Sequence, residues 1–413
     1  MRRSIQLTLL SASLLLTLAP PARSDAPFTI STTIQNGGAP VTGTESFSDI
    51  RAAFDFFKTA NLQSSFASYN NNSGVSATIS YLGTTVTLSL PQNGTPVTFS
   101  IPGAGLNQTF TGATRNDSIS QLVTFLTGNG GTELNIIQHY LASSSPISPL
   151  AGNPNSLESS LSGSSFSSSG FNTGANGSPN SSEGARFSIG VSAGQFSSGG
   201  FTGQSYTVPI SYAYRFSKSG WELQLNIPLT YEKISSGSSY AVQAGLGLQI
   251  PVLTGTDWYI TPIVSAGAAA SINFGAAGAT YSYALGSRYT YHATPRLALT
   301  LGDLIGYVDS IGVKIDNYNI NPKIGDTVTK NGALAEYETP WSIGGKPMSV
   351  RAGGAYTEYF GTKLFMNGYS DVFADFGTLT SVDARFYQRL RIGVRGTFGR
   401  DYSSVGVGLG YTF

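Results

Sequence analysis

The sequence predicts a transmembrane antiparallel β-barrel of about twelve strands preceded by a small soluble α+β domain. Three observations carry the prediction. From residue 185 onward, long segments alternate apolar and polar residues; the 413-residue chain has 11% charged residues but 23 Phe and 22 Tyr; and a Ser/Gly/Asn/Pro-rich stretch divides it in two. A strand projects successive side chains to opposite faces, so alternation over ten or more residues makes a ribbon with one wholly apolar face. An average soluble protein carries roughly 25% charge. Much of this chain is therefore built for a solvent other than water.

The alternation is plainest in "WELQLNIPLTYE", where Trp221, Leu223, Leu225, Ile227, Leu229 and Tyr231 oppose Glu222, Gln224, Asn226, Pro228, Thr230 and Glu232. About twelve such segments run near 185–195, 205–216, 220–232, 239–251, 257–271, 279–292, 296–309, 332–343, 347–359, 365–377, 381–399 and 402–413. The fifth, seventh and tenth have blurred phase. Segments of this length with dyad alternation and polar turns are the signature of a membrane barrel, with lipid on the apolar side and a lumen on the other. A soluble sandwich or solenoid is the alternative, but its strands are usually about 5–6 residues long. The charges also fall on one parity: in "VDARFYQRLRIGVRGTF", Leu390, Ile392, Val394 and Phe398 oppose Arg385, Arg389, Arg391 and Arg395.

Those four arginines, with Arg351, Glu222, Glu336 and Glu338, are the candidate lumen charges. They can line a water-filled pore, or close a narrow barrel by pairing, since buried charge is costly unless paired. With strand one running outward, short connections are expected after even strands. Longer ones are expected after odd strands, as in "SSGGFTGQS" and the roughly twenty residues from Gly312 to Asn331. Trp221, Trp258 and Trp341 all fall beside the short-turn side, where an aromatic girdle sits.

Upstream, residues 1–24 read as a signal peptide: Arg2 and Arg3, an apolar run from about Leu7 to Ala19, and the small-x-small Ala22-Arg23-Ser24 before Asp25. Residues 25–142 read as the small α+β domain. "FTISTTI" is a strand; "SFSDIRAAFDFFKTANL" is one helix capped by Ser48 or Asp49. A three-stranded meander follows with turns at Gly83 and Asn93-Gly94, then a helix from Asp117 or Ser118 to Gly128, then "TELNIIQHYLA" as another. Residues 143–184 read as a flexible linker with at most a short helix near Ser156 to Leu161. Residues 185–413 are the barrel.

The last strand carries a resemblance. Phe413, with Tyr411, Leu409, Val407 and Val405 at alternate positions, resembles the C-terminal signal of Gram-negative outer-membrane β-barrel proteins. The resemblance implies an outer-membrane location and recognition by the barrel assembly machinery, with outer-membrane lipid as the solvent. A signal peptide, soluble N-terminal region, linker and roughly twelve-stranded C-terminal barrel also look like an autotransporter. In that family the barrel accompanies export of its own N-terminal passenger, although passengers are usually much longer and rich in β-helical repeats.

Other chemistry is sparse. Net charge is +1 and the basic residues are scattered, so there is no footprint for nucleic acid. There is no Cys, and the two histidines, His139 and His292, sit in no catalytic motif. No cofactor, metal site or enzyme activity is expected. Two functions compete: an autotransporter-like barrel that anchors and exports residues 25 to about 142, and a porin-like or structural barrel. In the second, the N-terminal domain stays periplasmic and plugs, gates or binds an unidentified protein partner.

Overall fold

The computed structural model describes residues 26–413 except 130, 172–183, 218, 254, 316–317 and 380–388. The N-terminal domain comprises β1 (Phe28–Gln35), β2 (Val41–Phe47), α1 (Ile50–Asp55), α2 (Thr59–Ser65), β3 (Gly74–Tyr81), β4 (Thr84–Leu90), β5 (Val97–Ile101), β6 (Leu106–Phe110), α3 (Arg115–Thr124) and α4 (Gly131–Ser144). Its strands form one antiparallel sheet in the order β2-β1-β3-β4-β5-β6. The alternation foreseen for β1 and the meander buries Phe28, Ile30, Ile34, Ile79, Val86, Leu88 and Phe99 on one face. Helices α1 and α3 pack together against it.

Three local readings change. The stretch expected as one helix breaks between α1 and α2, because Phe54, Phe56 and Phe57 are all buried and one helical stripe cannot hold all three. After the break, Phe56 sits 5.5 Å from the Phe47 ring and 6.5 Å from Phe66. The α3 cap is Thr114, in a reciprocal capping box with Asp117. Strand β2 gives no sequence signal because it buries almost nothing, and β6 is a five-residue edge strand.

Next comes α5 (Leu157–Ser168), then β7 (Gly184–Ser198), β8 (Phe201–Arg215), β9 (Glu222–Ile234), β10 (Gly237–Pro251), β11 (Asp257–Ser271), β12 (Ala276–Thr294) and β13 (Leu297–Ile311). A small hairpin, β14 (Val313–Ile315) and β15 (Tyr318–Ile320), precedes β16 (Gly325–Ile343), β17 (Lys346–Gly361), β18 (Gly368–Thr378), β19 (Arg389–Gly399) and β20 (Tyr402–Thr412). Strands β7–β13 and β16–β20 form a closed antiparallel barrel of 12 strands, sealed where β20 pairs with β7. No helix among the described residues is long and apolar enough to cross a membrane. The barrel crosses with its strands.

One end of the barrel, the seam end, holds the first residue of β7 and the last of β20. The other, the domain end, holds the turns after β7, β9, β11, β17 and β19 and the long connection with β14 and β15. The expected alternation of short and long connections does not hold. The segment "SSGGFTGQS" is mostly strand, with only Gly199 and Gly200 between β7 and β8, and β16 begins at Gly325, so the Gly312-to-Asn331 loop is shorter than expected. Residues 312–324 still form the longest connection at the domain end.

Outward positions are apolar as the alternation requires, among them Val191, Val242, Leu285, Leu301, Ile392 and Val407. Exposed aromatics form two bands. Trp221, Trp258, Tyr291 and Trp341 lie towards the seam end, and Tyr206, Tyr240, Tyr281 and Tyr356 towards the domain end. Along β12, Tyr281 and Tyr291 are about ten residues apart, which at about 3.4 Å per residue and a tilt of about 40° is about 26 Å of height. That matches the apolar band of about 25 Å of an outer-membrane barrel between its aromatic girdles.

Candidate functional site

The lumen is occupied by the chain's own α5, inside the segment read from composition as a flexible linker. Between the N-terminal domain and β7 the chain enters at the domain end, where the Ser198 hydroxyl donates to the Pro146 carbonyl at 2.7 Å. It then runs toward the seam end. Ser160 meets Gln243, the Asn226 amide donates to Ser168 Oγ at 2.5 Å, and Gln249 donates to the Ser168 carbonyl at 3.2 Å. Phe171 reaches Gly302 and Gly332. Residues 172–183 lie outside the described residues, and β7 starts at the seam end beside Thr412 and Phe413.

The sequence of α5, "LESSLSGSSFSS", has little intrinsic helix propensity. Ser156 caps it, and Ser162 and Ser168 return their hydroxyls to the Glu158 and Ser164 carbonyls four residues back. The rest of its stability comes from the wall. Leu157, Leu161 and Phe166 are buried against β10–β13 and β16. The inward glycines of those strands make a groove: a Cβ at Gly267 would stand 3.0 Å from Leu157, at Gly247 3.2 Å from Ser168, and at Gly332 2.8 Å from Phe171. Small residues on the helix and no side chain on the wall let the two backbones approach. The same small residues give the segment the composition of a flexible linker.

On the other side, β7, β8 and β18–β20 leave a polar cavity of about 330 Å³ beside the helix, lined by Ser160 and Ser164 on one side and Ser192, Thr207, Asn226 and Gly406 on the other, with β9 touching α5 through Asn226. Gly406 and Gly408 of β20 face this cavity.

Among the described candidate charges, Arg351, Arg391, Arg395, Glu222 and Glu336 are joined in ion pairs. Arg351 holds Asp375 in a two-pronged contact, Nε to Oδ1 at 3.0 Å and Nη2 to Oδ2 at 2.9 Å. Arg391 grips the same carboxylate, Nε to Oδ1 at 2.7 Å, and also lies 3.7 Å from Glu336. Lys330 and Arg395 both reach Asp371 at 2.8 Å, and Thr397 donates to it at 2.8 Å. Glu222 pairs with Arg186 at 2.5 Å. Arg389 is buried at the seam end. Glu338 makes no ion pair among the described residues, and Arg385 lies outside them. The Arg395 side chain, 47% exposed, lines the cavity together with Arg186, Glu222, Lys330 and Asp375.

Sequence reasoning missed the two acids at the centre of both networks. Asp371 and Asp375 share a parity with the buried Phe373, so β18 mixes apolar and acidic residues on its inner face and the alternation blurs. Arg186, the partner of Glu222, and Arg288, whose guanidinium lies 4.7 Å over the Tyr259 ring, are further inward cations. His139 contacts the Pro322 carbonyl at 3.0 Å, and His292 lies exposed 3.7 Å from Asp257. No group of three or more His, Asp or Glu that could hold a metal occurs among the described residues.

The N-terminal domain caps the domain end through main-chain as well as side-chain contacts. Ile50 N donates to Asn273 O at 2.8 Å, Tyr81 OH to Phe274 O at 3.1 Å, Phe365 N to Ala142 O at 2.9 Å and Asn321 N to Asn135 Oδ1 at 2.6 Å. At the seam, Phe187 and Phe413 exchange backbone hydrogen bonds at 3.0 and 2.9 Å, with ring centroids 5.1 Å apart. Val405, Val407, Leu409 and Phe413 face outward, and the Tyr411 ring packs tilted against Phe413 with centroids 5.4 Å apart.

A closed 12-strand barrel with a largely apolar exterior, two aromatic bands and networks of paired charge in its interior is an outer-membrane β-barrel of the Gram-negative type, here joined to a separate small sheet domain. Among solved structures it is similar to the β domain of the Bordetella autotransporter BrkA, at 13% identity over 56% of this chain and 100% of that one, with a TM-score of 0.44. It is also similar to the translocator domain of the autotransporter NalP from Neisseria meningitidis, at 12% identity over 57% and 90% with a TM-score of 0.41, and to an outer membrane channel from Pseudomonas putida F1, at 10% identity over 56% and 96% with a TM-score of 0.38. No protein-family model and no curated protein matches the chain.

Proposed function

We propose that this outer-membrane barrel, after removal of residues 1–24 as a signal peptide, anchors its own N-terminal domain at the cell surface in the manner of an autotransporter. The observation that carries this reading is the route of the chain: domain at one mouth, α5 through the lumen, first barrel strand at the other mouth. A domain that stayed on the side where β7 begins would need no segment inside the barrel. The sidedness is read from the longest connection alone, residues 312–324 at the domain end, since long loops favour the outer face and the other connections do not separate the two ends. The exposed turn at Gly37 and Gly38, where added side chains would meet open space, accepts an epitope tag. On intact cells the tag is expected to be reached by antibody and removed by protease. Protection until the outer membrane is permeabilised would overturn the proposal.

The cavity beside α5 favours a second activity, passage of small polar solutes through a lumen that the helix only partly fills. Planar-bilayer recordings test it. The full chain is expected to conduct weakly, and deletion of residues 156–171 to enlarge the unit conductance; identical traces would leave the charge networks a purely structural role.

A further inference from the structure

Among the described residues between the two aromatic bands, the outer wall has one place where the apolar rule fails. Asp303 of β13 points outward between the two aromatic bands, exposed, with Leu301 and Ile305 on either side along its own strand. Its register partners on the neighbouring strands are Ser287 of β12 and Asn331 of β16. Asn331 is also exposed, and neither it nor Asp303 has a hydrogen-bond partner among the described residues. Ser287 accepts from the Trp258 ring N–H at 3.1 Å. Thr329, Ala333, Ala352 and Gly354 continue the outward face of β16 and β17 with small side chains. Elsewhere at this height the wall presents Val191, Val264, Leu285 and Val407.

An unpartnered carboxylate against hydrocarbon is costly, and polar side chains inside a membrane mark contacts with protein or water. Lipid offers neither an amide donor nor a hydroxyl at that depth. A lone acceptor would call for a cationic partner, but here an acceptor and a donor stand side by side: a carboxylate that only accepts and an amide with two N–H groups to give. Such a pair complements itself under two-fold rotation, in which residue i meets j and j meets i. Two copies with the same sidedness can be related only by an axis along the membrane normal, so the paired groups must lie near one depth. For strands about 4.8 Å apart tilted about 40°, Asp303 and Asn331 differ by about 3 Å in depth, within the reach of two short side chains. The small residues beside them let two walls approach closely, as small residues do at helix interfaces in membranes.

We propose that the outward face of β13, β16 and β17 is the contact surface for a second copy of this chain, with each Asp303 accepting from the partner copy's amide at position 331. The inference rests on the barrel lying in a membrane and is independent of the side on which the N-terminal domain sits.

The chain has no cysteine, so single-cysteine crosslinking is clean. The full-length protein carrying Ala333→Cys, folded in lipid vesicles, is expected to form a disulfide-linked dimer under mild oxidation. Val191→Cys, on the far side of the barrel, reports random collision and is expected to crosslink little. The double variant Asp303→Leu, Asn331→Leu is expected to weaken dimerisation about tenfold in a lipid-dilution energy-transfer assay, while its heat-modifiable migration in gels shows an intact barrel. Asp303→Asn, which keeps a hydrogen-bonding side chain, is expected to retain association. Equal crosslinking at positions 333 and 191, or undiminished association of the double-leucine variant, would overturn the proposal. So would crosslinks in native membranes that join position 333 only to a chain of different mass.

Discussion

At the residue scale the N-terminal domain depends on a cation that has no counterion among the described residues. Arg115 is 4% exposed and donates to three main-chain carbonyls, from Nε to Gly94 at 2.8 Å, from Nη1 to Ser73 at 2.6 Å and from Nη2 to Pro91 at 2.7 Å. Replacing it with Met removes charged hydrogen bonds and orphans those carbonyls, a loss of about 3 kcal/mol or more. Thermal unfolding of the N-terminal domain should show it as a lowered Tm with the barrel transition unmoved. Tyr81 makes the other informative contact, at the junction with the barrel. Burial raises its phenol above the ordinary value of 10.0, so the neutral form belongs to the folded state. Its contribution is whole below about pH 10 and declines as pH rises beyond that. Tyr81→Phe should cost about 1 kcal/mol at neutral pH and suffer a smaller further loss between pH 9 and 12 than the wild type. Parallel alkaline curves would contradict this. At the seam, Phe413→Ser removes the ring packed against Phe187 and Tyr411 and should lower the yield of heat-modifiable barrel; unchanged yield would show that the backbone pairing of β20 with β7 is enough.

At the element scale the barrel strands were legible because their signal recurs along each strand: most outward residues are apolar and most inward ones are small, polar or charged. Strand ends were less legible, since β16 starts at Gly325 with the polar run "GDTVTKNG", whose outward members are threonine and asparagine rather than aliphatic. The helix α5 was nearly invisible. Ser and Gly specify it only through what they fail to fill, and the complementary information, the glycines of β10–β13 and β16, lies 80 to 170 residues away. The match can be broken from either side. Gly302→Val keeps a strand-compatible residue but occupies the space of the Phe171 ring, and loss of that burial should cost about 2–3 kcal/mol. With a single cysteine at Ser165, which is buried between the helix and the wall, maleimide labelling should accelerate in the Gly302→Val background. Equal labelling rates would mean that the groove does not hold the helix.

For the whole molecule, two folded units of different physics share one chain. The N-terminal domain has an apolar core and water outside; the barrel has an apolar outside and a charged, hydrogen-bonded inside. Neither uses disulfides, so the junction relies on main-chain hydrogen bonds such as those of Ile50 and Phe365 and on shared packing around Phe201 and Phe274. The paired lumen charges lend rigidity to the β16–β19 wall, the wall that also presents Asn331 outward.

The threaded helix imposes a mechanical condition. A 12-strand wall with about 4.8 Å between strands tilted about 40° has a backbone diameter of about 24 Å, and its side chains narrow this further. A folded six-stranded sheet is about 24 Å across before any helix is added. The domain at one mouth and the strand leaving the other are therefore both stoppers, and the chain is a ring locked on its own axle. Assembly has only two orders open to it. Either the domain passes through as an unfolded strand and folds at the far mouth, or the ring is sealed, β20 onto β7, around a thread already in place.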